Sequence, residues 1–250
     1  MSSDYSISIQ HLSKSYGSDS KLALSDLSLD IEHGEIFGFL GPNGAGKTTF
    51  FSILCGLFPP SSGSVHMFGL DLDSQLDSVK KIIGVVPQDI ALYPSLSGVD
   101  NLMYIGRMYG VKDKELKEKI DTFLSIFGFE DNRHKEVKTY SGGMKRKINL
   151  LGGLLHDPKI LLLDEPTVGM DVQTRSSIMQ YLKDLNEEKK MTIIYTSHYL
   201  EQAELLCDRI AIIDEGEILR LGSPRSMIME EQKGNLEEVF LKLTGKKIKD

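Results

Sequence analysis

The amino-acid sequence predicts an α/β fold in which helices flank a mostly parallel sheet. Short runs of isoleucine, leucine and valine alternate with segments whose apolar residues recur at helical spacing. Some of these runs, such as Ile160–Leu163, are continuously apolar, as expected of strands that are covered on both faces. This alternation is typical of a parallel sheet whose strands are joined by helices.

Strand patterns occur before and after a central region that lacks them. The six clearest predicted strands, and a seventh that closes a hairpin after them, are Tyr5–Ile9, Ile36–Leu40, Ile82–Val86, Ile160–Leu163, Thr192–Thr196, Arg209–Ile213 and Glu217–Leu221. The predicted helices are Thr48–Leu57, Val99–Tyr109, the amphipathic segment Leu116–Phe127, Ser141–Gly153, Pro224–Gln232 and Leu236–Leu243.

These elements predict one domain over residues 1–245 with an interrupted α/β core. The core would comprise about residues 1–87 and 157–222, beginning with an antiparallel β part. A helical subdomain would be inserted over about residues 97–156, and a short helical segment would follow over about residues 223–245.

The composition excludes several classes of protein. With 250 residues, 40% of them hydrophobic, and a net charge of −7, the chain is predicted to be globular and not a nucleic-acid binder. Its first residues do not predict a signal peptide, and it contains no apolar run near the roughly 20 residues of a membrane span. Cys55 and Cys207 each lie beside a leucine, which favours buried, reduced thiols and a cytoplasmic location.

A glycine-rich loop with a specific spacing follows the strand Ile36–Leu40. Residues 41–48 fit the pattern G-x-x-x-x-G-K-[ST], hereafter the P-loop, between a predicted strand and a predicted helix. Such a loop directs backbone N–H groups at phosphates, with Lys47 reaching the outer phosphates and Thr48 available to Mg²⁺. The predicted nucleotide-binding residues here are Gly41, Pro42, Asn43, Gly44, Ala45, Gly46, Lys47, Thr48 and Thr49.

Two acidic residues follow the apolar strand Ile160–Leu163. Carboxylates at the carboxyl end of such a strand lie where ligands of parallel sheets bind. Asp164 is predicted to hold Mg²⁺, and Glu165 is predicted to accept a proton from the attacking water. The fold is therefore expected to be a P-loop NTPase core. A guanine-reading N-K-x-D element does not occur in the sequence, which argues against a GTPase, and no acceptor site of a small-molecule kinase is recognisable.

The segment Tyr140–Arg146, which reads Y-S-G-G-M-K-R, identifies the kind of P-loop protein. Here the chain resembles the ATP-binding cassette (ABC) family, whose signature is close to L-S-G-G-Q, and the resemblance covers nearly the whole chain. The remaining family motifs are present in family order. Tyr16 matches the aromatic residue that stacks on adenine, and Gln88 matches the glutamine that also reaches Mg²⁺. Asp171 matches the D-loop aspartate, and His198 matches the switch histidine. The resemblance implies ATP and Mg²⁺ as cofactors and Glu165, His198, Lys47 and Gln88 as catalytic residues.

The signature residues would form a second phosphate cradle. Ser141 can cap a helix, and Gly142 and Gly143 would let its backbone approach a ligand. The resemblance implies that Ser141, Gly142, Gly143 and Met144 contact ATP held by the P-loop of a partner chain. We therefore expect a head-to-tail dimer of cassettes, with a second copy of this chain favoured over a different cassette. Three positions depart from the family pattern: Tyr140, Met144 and the Gly-Met-Asp D-loop.

The leading functional hypothesis is the ATP-hydrolysing subunit of a transporter whose permease is a separate chain. The resemblance favours an ABC-2 type exporter of the multidrug or antibiotic-efflux kind, bound peripherally to the inner face of the cell membrane through its permease. It places the docking contact on the helical subdomain and the loop after Gln88, where Leu92, Tyr93 and Leu96 are candidates. The alternatives are a soluble ABC ATPase of the DNA-repair or translation type, or an importer subunit.

Overall fold

The computed structural model describes residues 5–17 and 21–245. The strands within these residues are β1 Tyr5–Lys14, β2 Leu24–Glu32, β3 Ile36–Leu40, β4 Ser62–Met67, β5 Leu70–Asp71, β6 Ile83–Val86, β7 Ile160–Asp164, β8 Thr192–Ser197, β9 Arg209–Asp214 and β10 Glu217–Gly222. The α-helices are α1 Lys47–Leu54, α2 Leu76–Lys80, α3 Gly98–Met108, α4 Asp113–Ile126, α5 Gly142–Leu154, α6 Val172–Lys189, α7 Leu200–Leu206, α8 Pro224–Glu230 and α9 Leu236–Thr244.

The strands form two sheets. The larger has the order β10-β9-β3-β8-β7-β6, and only β10 runs antiparallel to its neighbour among the described pairs of this sheet. The smaller is antiparallel, with the order β2-β1-β4-β5. The predicted fold class, a mostly parallel sheet with an N-terminal antiparallel part, is confirmed.

The register of the parallel strands aligns their carboxyl ends along one edge. Leu40 of β3 pairs with Ser197 of β8, and Asp164 of β7 pairs with Thr196. In the same way the end of β6 pairs with that of β7. The loops that follow β3, β6, β7 and β8 therefore leave the sheet side by side, and this edge is where ligands of such folds bind.

Buried side chains form a core on each face of the larger sheet. On one face, α1 and the smaller sheet contribute, and the rings of Phe39 and Phe50 stack with centroids 3.9 Å apart. On the other face, Leu163 and Tyr195 share a core with Leu102, Leu116 and further residues of the helical region. The helices of residues 98–154 are thus anchored directly to the sheet, through apolar burial.

Several elements differ from the sequence-based expectation. The helix after the P-loop ends at Leu54 and not at Leu57, because Gly56 adopts a left-handed φ of +67°. Helix α6 was not predicted, although its buried Ile178, Leu182 and Leu185 recur at helical spacing. The other elements missed from the sequence were β2, β4, β5, α2 and α7. Among the described residues, no helix combines the length and apolarity needed to cross a membrane.

Candidate nucleotide-binding site

The P-loop joins β3 to α1 at the carboxyl edge of the larger sheet. Gly46 adopts φ +109°, and a Cβ there would lie 2.5 Å from the carbonyl oxygen of Ala23, so only glycine fits this close approach. Gly44, at φ +81°, faces open space instead. The loop borders a cavity of about 230 Å³ whose lining consists of Ala23, Asn43, Gly44, Gly46, Lys47, Thr48, Thr49, Gln88 and Glu165.

Lys47 is buried at the base of this cavity. Its Nζ donates to the carbonyl oxygens of Gly41 at 2.7 Å and Pro42 at 3.2 Å, and it lies 3.9 Å from Oε1 of Glu165. Burial lowers the pKa of Lys47, while the charges of Glu165 and Asp164 act in the opposite direction. The ammonium is therefore held in a weakly solvated position beside the loop.

The two acidic residues at the end of β7 are held by β8. Oδ1 of Asp164 accepts a hydrogen bond of 2.5 Å from the Thr196 hydroxyl, and burial raises the pKa of Asp164. Glu165 adopts a left-handed φ of +46°, and its N–H donates to the carbonyl of Thr196 at 3.1 Å. A non-glycine residue in this conformation is strained, and the neighbouring strand maintains it.

The carboxylate of Glu165 is the point where the predicted catalytic side chains meet. Nδ1 of His198 lies 2.9 Å from its Oε1, and the side-chain amide of Gln88 donates to its Oε2 at 3.3 Å. With Lys47 at 3.9 Å, the structure brings together all four residues that the sequence analysis assigned to catalysis. Each comes from a different element at the same sheet edge, so the carboxylate is fixed from three sides.

Tyr16 flanks the same loop from outside. Its ring is 63% exposed, and its hydroxyl lies 3.2 Å from that of Thr49. The edge of the ring packs on Phe58 with centroids 6.1 Å apart. An exposed aromatic face beside the P-loop is available to stack on a base.

The signature segment, unlike the P-loop, contains a serine that caps the following helix. Ser141 begins α5, and its hydroxyl accepts from the N–H of Met144 at 3.2 Å. A Cβ on Gly142 would meet nothing within 4 Å, whereas one on Gly143 would lie 3.1 Å from Thr174. Only Gly142 thus leaves open space for a ligand, since Gly143 accommodates this chain's own α6. None of the signature residues is among the described residues that line the P-loop cavity.

Asp171, the predicted D-loop residue, caps α6. Its carboxylate accepts from the N–H of Thr174 at 2.9 Å, and this backbone hydrogen bond lowers the pKa of Asp171. Because Gly143 lies against Thr174, the D-loop helix supports the signature within the same chain.

The three departures from the family pattern are packing residues. Tyr140 is buried and its hydroxyl donates to the carbonyl of Asn132 at 2.7 Å, Met170 is buried, and Met144 packs partly buried against the same core. Sequence reasoning missed Arg146 and Asn149, which reach from α5 to the Pro87 carbonyl at 3.3 and 3.4 Å. Both are polar residues on the buried face of α5, whose other buried residues are apolar or glycine, and this is the signal that could have revealed them.

The ABC transporter family model matches residues 24–168. The linearmycin resistance ATP-binding protein LnrL of Bacillus subtilis (strain 168) is 45% identical over 214 residues, which cover 86% of this chain and 68% of LnrL. The Nod factor export ATP-binding protein I of Sinorhizobium fredii (strain NBRC 101917 / NGR234) is 37% identical over 238 residues, covering 95% of this chain and 68% of that protein.

A solved dimer of the ATP-binding cassette MJ0796, in a post-hydrolysis state bound to ADP and Pi, has the same fold. It superposes with a TM-score of 0.78 at 28% identity, over 87% of this chain and 98% of that chain. The sequence motifs, the side chains that meet at the Glu165 carboxylate and these similarities all indicate the same family. The chain belongs to the ABC transporter family, as one of its ATP-binding and ATP-hydrolysing cassettes.

Proposed function

We propose that this cassette powers an ABC-2 type exporter whose permease is a separate polypeptide. The observation that carries the proposal is the Glu165 carboxylate held by Gln88 and His198 next to a P-loop. The chain that holds it is similar to a resistance ATP-binding protein and to an export ATP-binding protein. Gln88 belongs to the segment that follows β6 and continues into the helical region. A permease that contacts this segment would be connected to the hydrolytic site through Gln88.

In the proposed reaction, Glu165 is the general base. It accepts a proton from the water that attacks the terminal phosphorus of ATP, while Lys47 balances the negative charge on that phosphate. His198 and Gln88 orient the carboxylate. Tyr16 stacks on the base, and the P-loop N–H groups bind the phosphates.

The residues present fit a magnesium ion as the family's cofactor. The described residues hold no group of three His, Cys, Asp or Glu side chains that could bind a metal by themselves. Mg²⁺ does not need one, because it prefers one or two carboxylates together with substrate phosphates. Thr48, Asp164 and Gln88 would hold it, and the ion would neutralise charge on the phosphates.

We propose further that two copies of this chain close head to tail around two ATP molecules. Ser141 and Gly142 are exposed and have no phosphate-binding partner loop of their own chain beside them among the residues described. In the dimer, Ser141, Gly142, Gly143 and Met144 would face the ATP bound by the partner's P-loop.

The proposed permease-docking face lies on the loop after Gln88 and on α3. Tyr93 and Tyr104 are exposed, with ring centroids 5.0 Å apart, and Met108 is 72% exposed nearby on α3. Leu92 and Leu96, expected to be exposed, are half-buried instead. Docking here would hold the chain at the cytoplasmic face of the membrane.

Co-expression with a membrane protein tests this proposal. The chain is co-expressed with a candidate multi-spanning permease, and membranes are sedimented before and after a high-salt wash. The exporter hypothesis expects the chain to sediment with its permease, and a Tyr93→Asp/Tyr104→Asp variant to remain in the supernatant with its ATP affinity unchanged.

Substrate flux then distinguishes the alternatives. ATP-dependent loss of substrate from the cytoplasmic side supports an exporter, whereas ATP-dependent uptake would indicate an importer subunit. A chain that never sediments with any such protein yet hydrolyses ATP would instead be a soluble ABC ATPase.

A further inference from the structure

A buried hydrogen-bonded bridge lies behind the hydrolytic site. The Oε1 atom of Gln202, on α7, accepts two hydrogen bonds, one of 2.6 Å from the Thr167 hydroxyl and one of 2.8 Å from the Tyr195 hydroxyl. Thr167 and Tyr195 are fully buried and Gln202 is 7% exposed. One amide oxygen therefore joins the loop after β7, the strand β8 and the helix α7.

Each of the three residues is close in sequence to a member of the site. Thr167 is two residues after Glu165 and four before Asp171. Tyr195 precedes Thr196, and Gln202 is four residues after His198. The bridge thus connects the loop that carries the proposed base to the helix that follows the switch histidine. Neither the P-loop nor the exposed ring of Tyr16 takes part in it.

The conformation of Glu165 needs such support. Its φ of +46° is a strained left-handed value, which persists only where neighbouring groups fix the chain. The N–H of Glu165 is held by the carbonyl of Thr196 at 3.1 Å. The Thr167 hydrogen bond fixes the other side of the same short loop, so the carboxylate is positioned between two anchored points.

An apolar side chain at position 202 would remove the acceptor that the buried Thr167 and Tyr195 hydroxyls share. Unpaired buried hydroxyls are unfavourable, and the loop would move to solvate them. Such a shift changes the distance between Glu165 and His198, which is now 2.9 Å. Misplacement of a catalytic group by about 1 Å lowers a rate by up to roughly 100-fold.

We propose that Gln202 is a positioning residue for ATP hydrolysis. Its amide oxygen fixes the segment Glu165–Asp171 against the switch helix, so that the proposed base, the switch histidine and the D-loop keep one arrangement. This inference rests on the proposed role of Glu165 as the general base. It adds a residue that is not among the described residues lining the P-loop cavity and that acts through Thr167.

The test measures kcat, KM and ATP affinity of the full-length chain with the Gln202→Leu substitution. We expect kcat to fall by about 10- to 100-fold, with KM and the Kd for ATP changed less than about twofold because the P-loop is untouched. The same kcat loss is expected for Thr167→Val, which removes the same hydrogen bond from its other end. Gln180→Leu is the matched control, since Gln180 is an exposed glutamine on α6 whose side-chain amide donates to Asp184.

A triple variant separates positioning from stability. Thr167→Val, Tyr195→Phe and Gln202→Leu together remove both hydroxyls of the bridge along with their acceptor, so the melting temperature should return towards the parent value. The proposal expects kcat to stay low in this variant. Recovery of kcat together with the melting temperature would overturn it, because the bridge would then be structural only.

Glu165→Gln, measured in parallel, separates the two proposals. If Glu165→Gln is inactive while Gln202→Leu has the parent kcat, only the positioning role fails. If Glu165→Gln hydrolyses ATP at the parent rate, the general-base assignment fails, and the positioning role fails with it.

Discussion

The P-loop region and the signature region both place glycines beside the start of a helix, but they stand in different surroundings. Lys47, Asp164 and Glu165 are buried, and each finds its hydrogen-bonding partner within the chain. Ser141 and Gly142 are exposed, and the Ser141 hydroxyl accepts from the N–H of Met144 in its own helix. The P-loop region is therefore complete in one chain, whereas the signature region presents a surface. Substitutions in the first should act on chemistry, and substitutions in the second on assembly.

The largest expected effect is that of Glu165→Gln. The amide keeps the size of the side chain but cannot accept the proton, so hydrolysis should fall by about 10² to 10⁴. ATP binding should persist, because Lys47 and the P-loop are unchanged. Radiolabelled phosphate release and ATP affinity, measured on the purified chain, check both expectations.

The same variant tests whether the two regions meet between chains. Unhydrolysed ATP should hold P-loop and signature together, so size-exclusion chromatography with ATP and Mg²⁺ should show a dimer that ADP does not support. Parent-level hydrolysis would contradict the base assignment. A variant that binds ATP without hydrolysis yet stays monomeric would show that closure requires the permease or a different cassette.

Lys47→Ala should have the next largest effect. Loss of the buried ammonium removes the main side-chain charge beside the transferred phosphate, with a fall in hydrolysis of about 10² to 10³. Unlike Glu165→Gln, this variant should also bind ATP weakly and give no ATP-dependent dimer. Lys80→Ala, an exposed lysine on α2, is the control and should match the parent.

Ser141→Arg tests the signature region in the same way. The bulky cation would occupy the exposed signature surface, so hydrolysis should fall by about 10² while the isolated chain binds ATP normally. Ser223→Ala is the control for the loss of a helix cap. Ser223 caps α8 in the same way, but it lies away from the site. Simultaneous loss of ATP binding would indicate that the signature acts within its own chain.

Tyr16→Ala should have the smallest effect. Removing the exposed ring should weaken ATP binding by about 1 to 3 kcal/mol, the range for stacking of a base on an aromatic ring. Tyr16→Phe keeps the ring and loses only the contact with Thr49, so its affinity should stay near that of the parent. Isothermal titration with a non-hydrolysable ATP analogue measures both, and equal affinities for Tyr16→Ala and the parent would make Tyr16 a packing residue.

Local patterns in the sequence were enough to predict the parts of the site that are contiguous in the chain. The strand, P-loop and helix around Lys47 form one local unit, and the apolar strand before Asp164 is another, because burial on both faces makes such strands continuously apolar. Elements with weaker signals were missed. Helix α6 carries only three fully buried side chains on a charged surface, and β5 has only two residues.

The convergence of Gln88, Glu165 and His198 depended on strand order and register. These residues are far apart in sequence, and they meet because β6, β7 and β8 are neighbours whose ends are aligned. The sequence analysis grouped them only through the family resemblance. The bridge centred on Gln202 had no motif at all, since a glutamine that pairs two buried hydroxyls is indistinguishable in sequence from one on a surface.

The sequence by itself determined which functional groups this protein has. They are the P-loop, two acidic residues after a buried strand, and a pair of glycines that follows a helix-capping serine. These depend on local spacing and conformational freedom, which the sequence fixes directly. The tertiary structure alone decided which groups share a site and which stay exposed. It assigned Gly142 to open space and Gly143 to Thr174, because packing between distant elements is set by the whole fold and not by any local pattern.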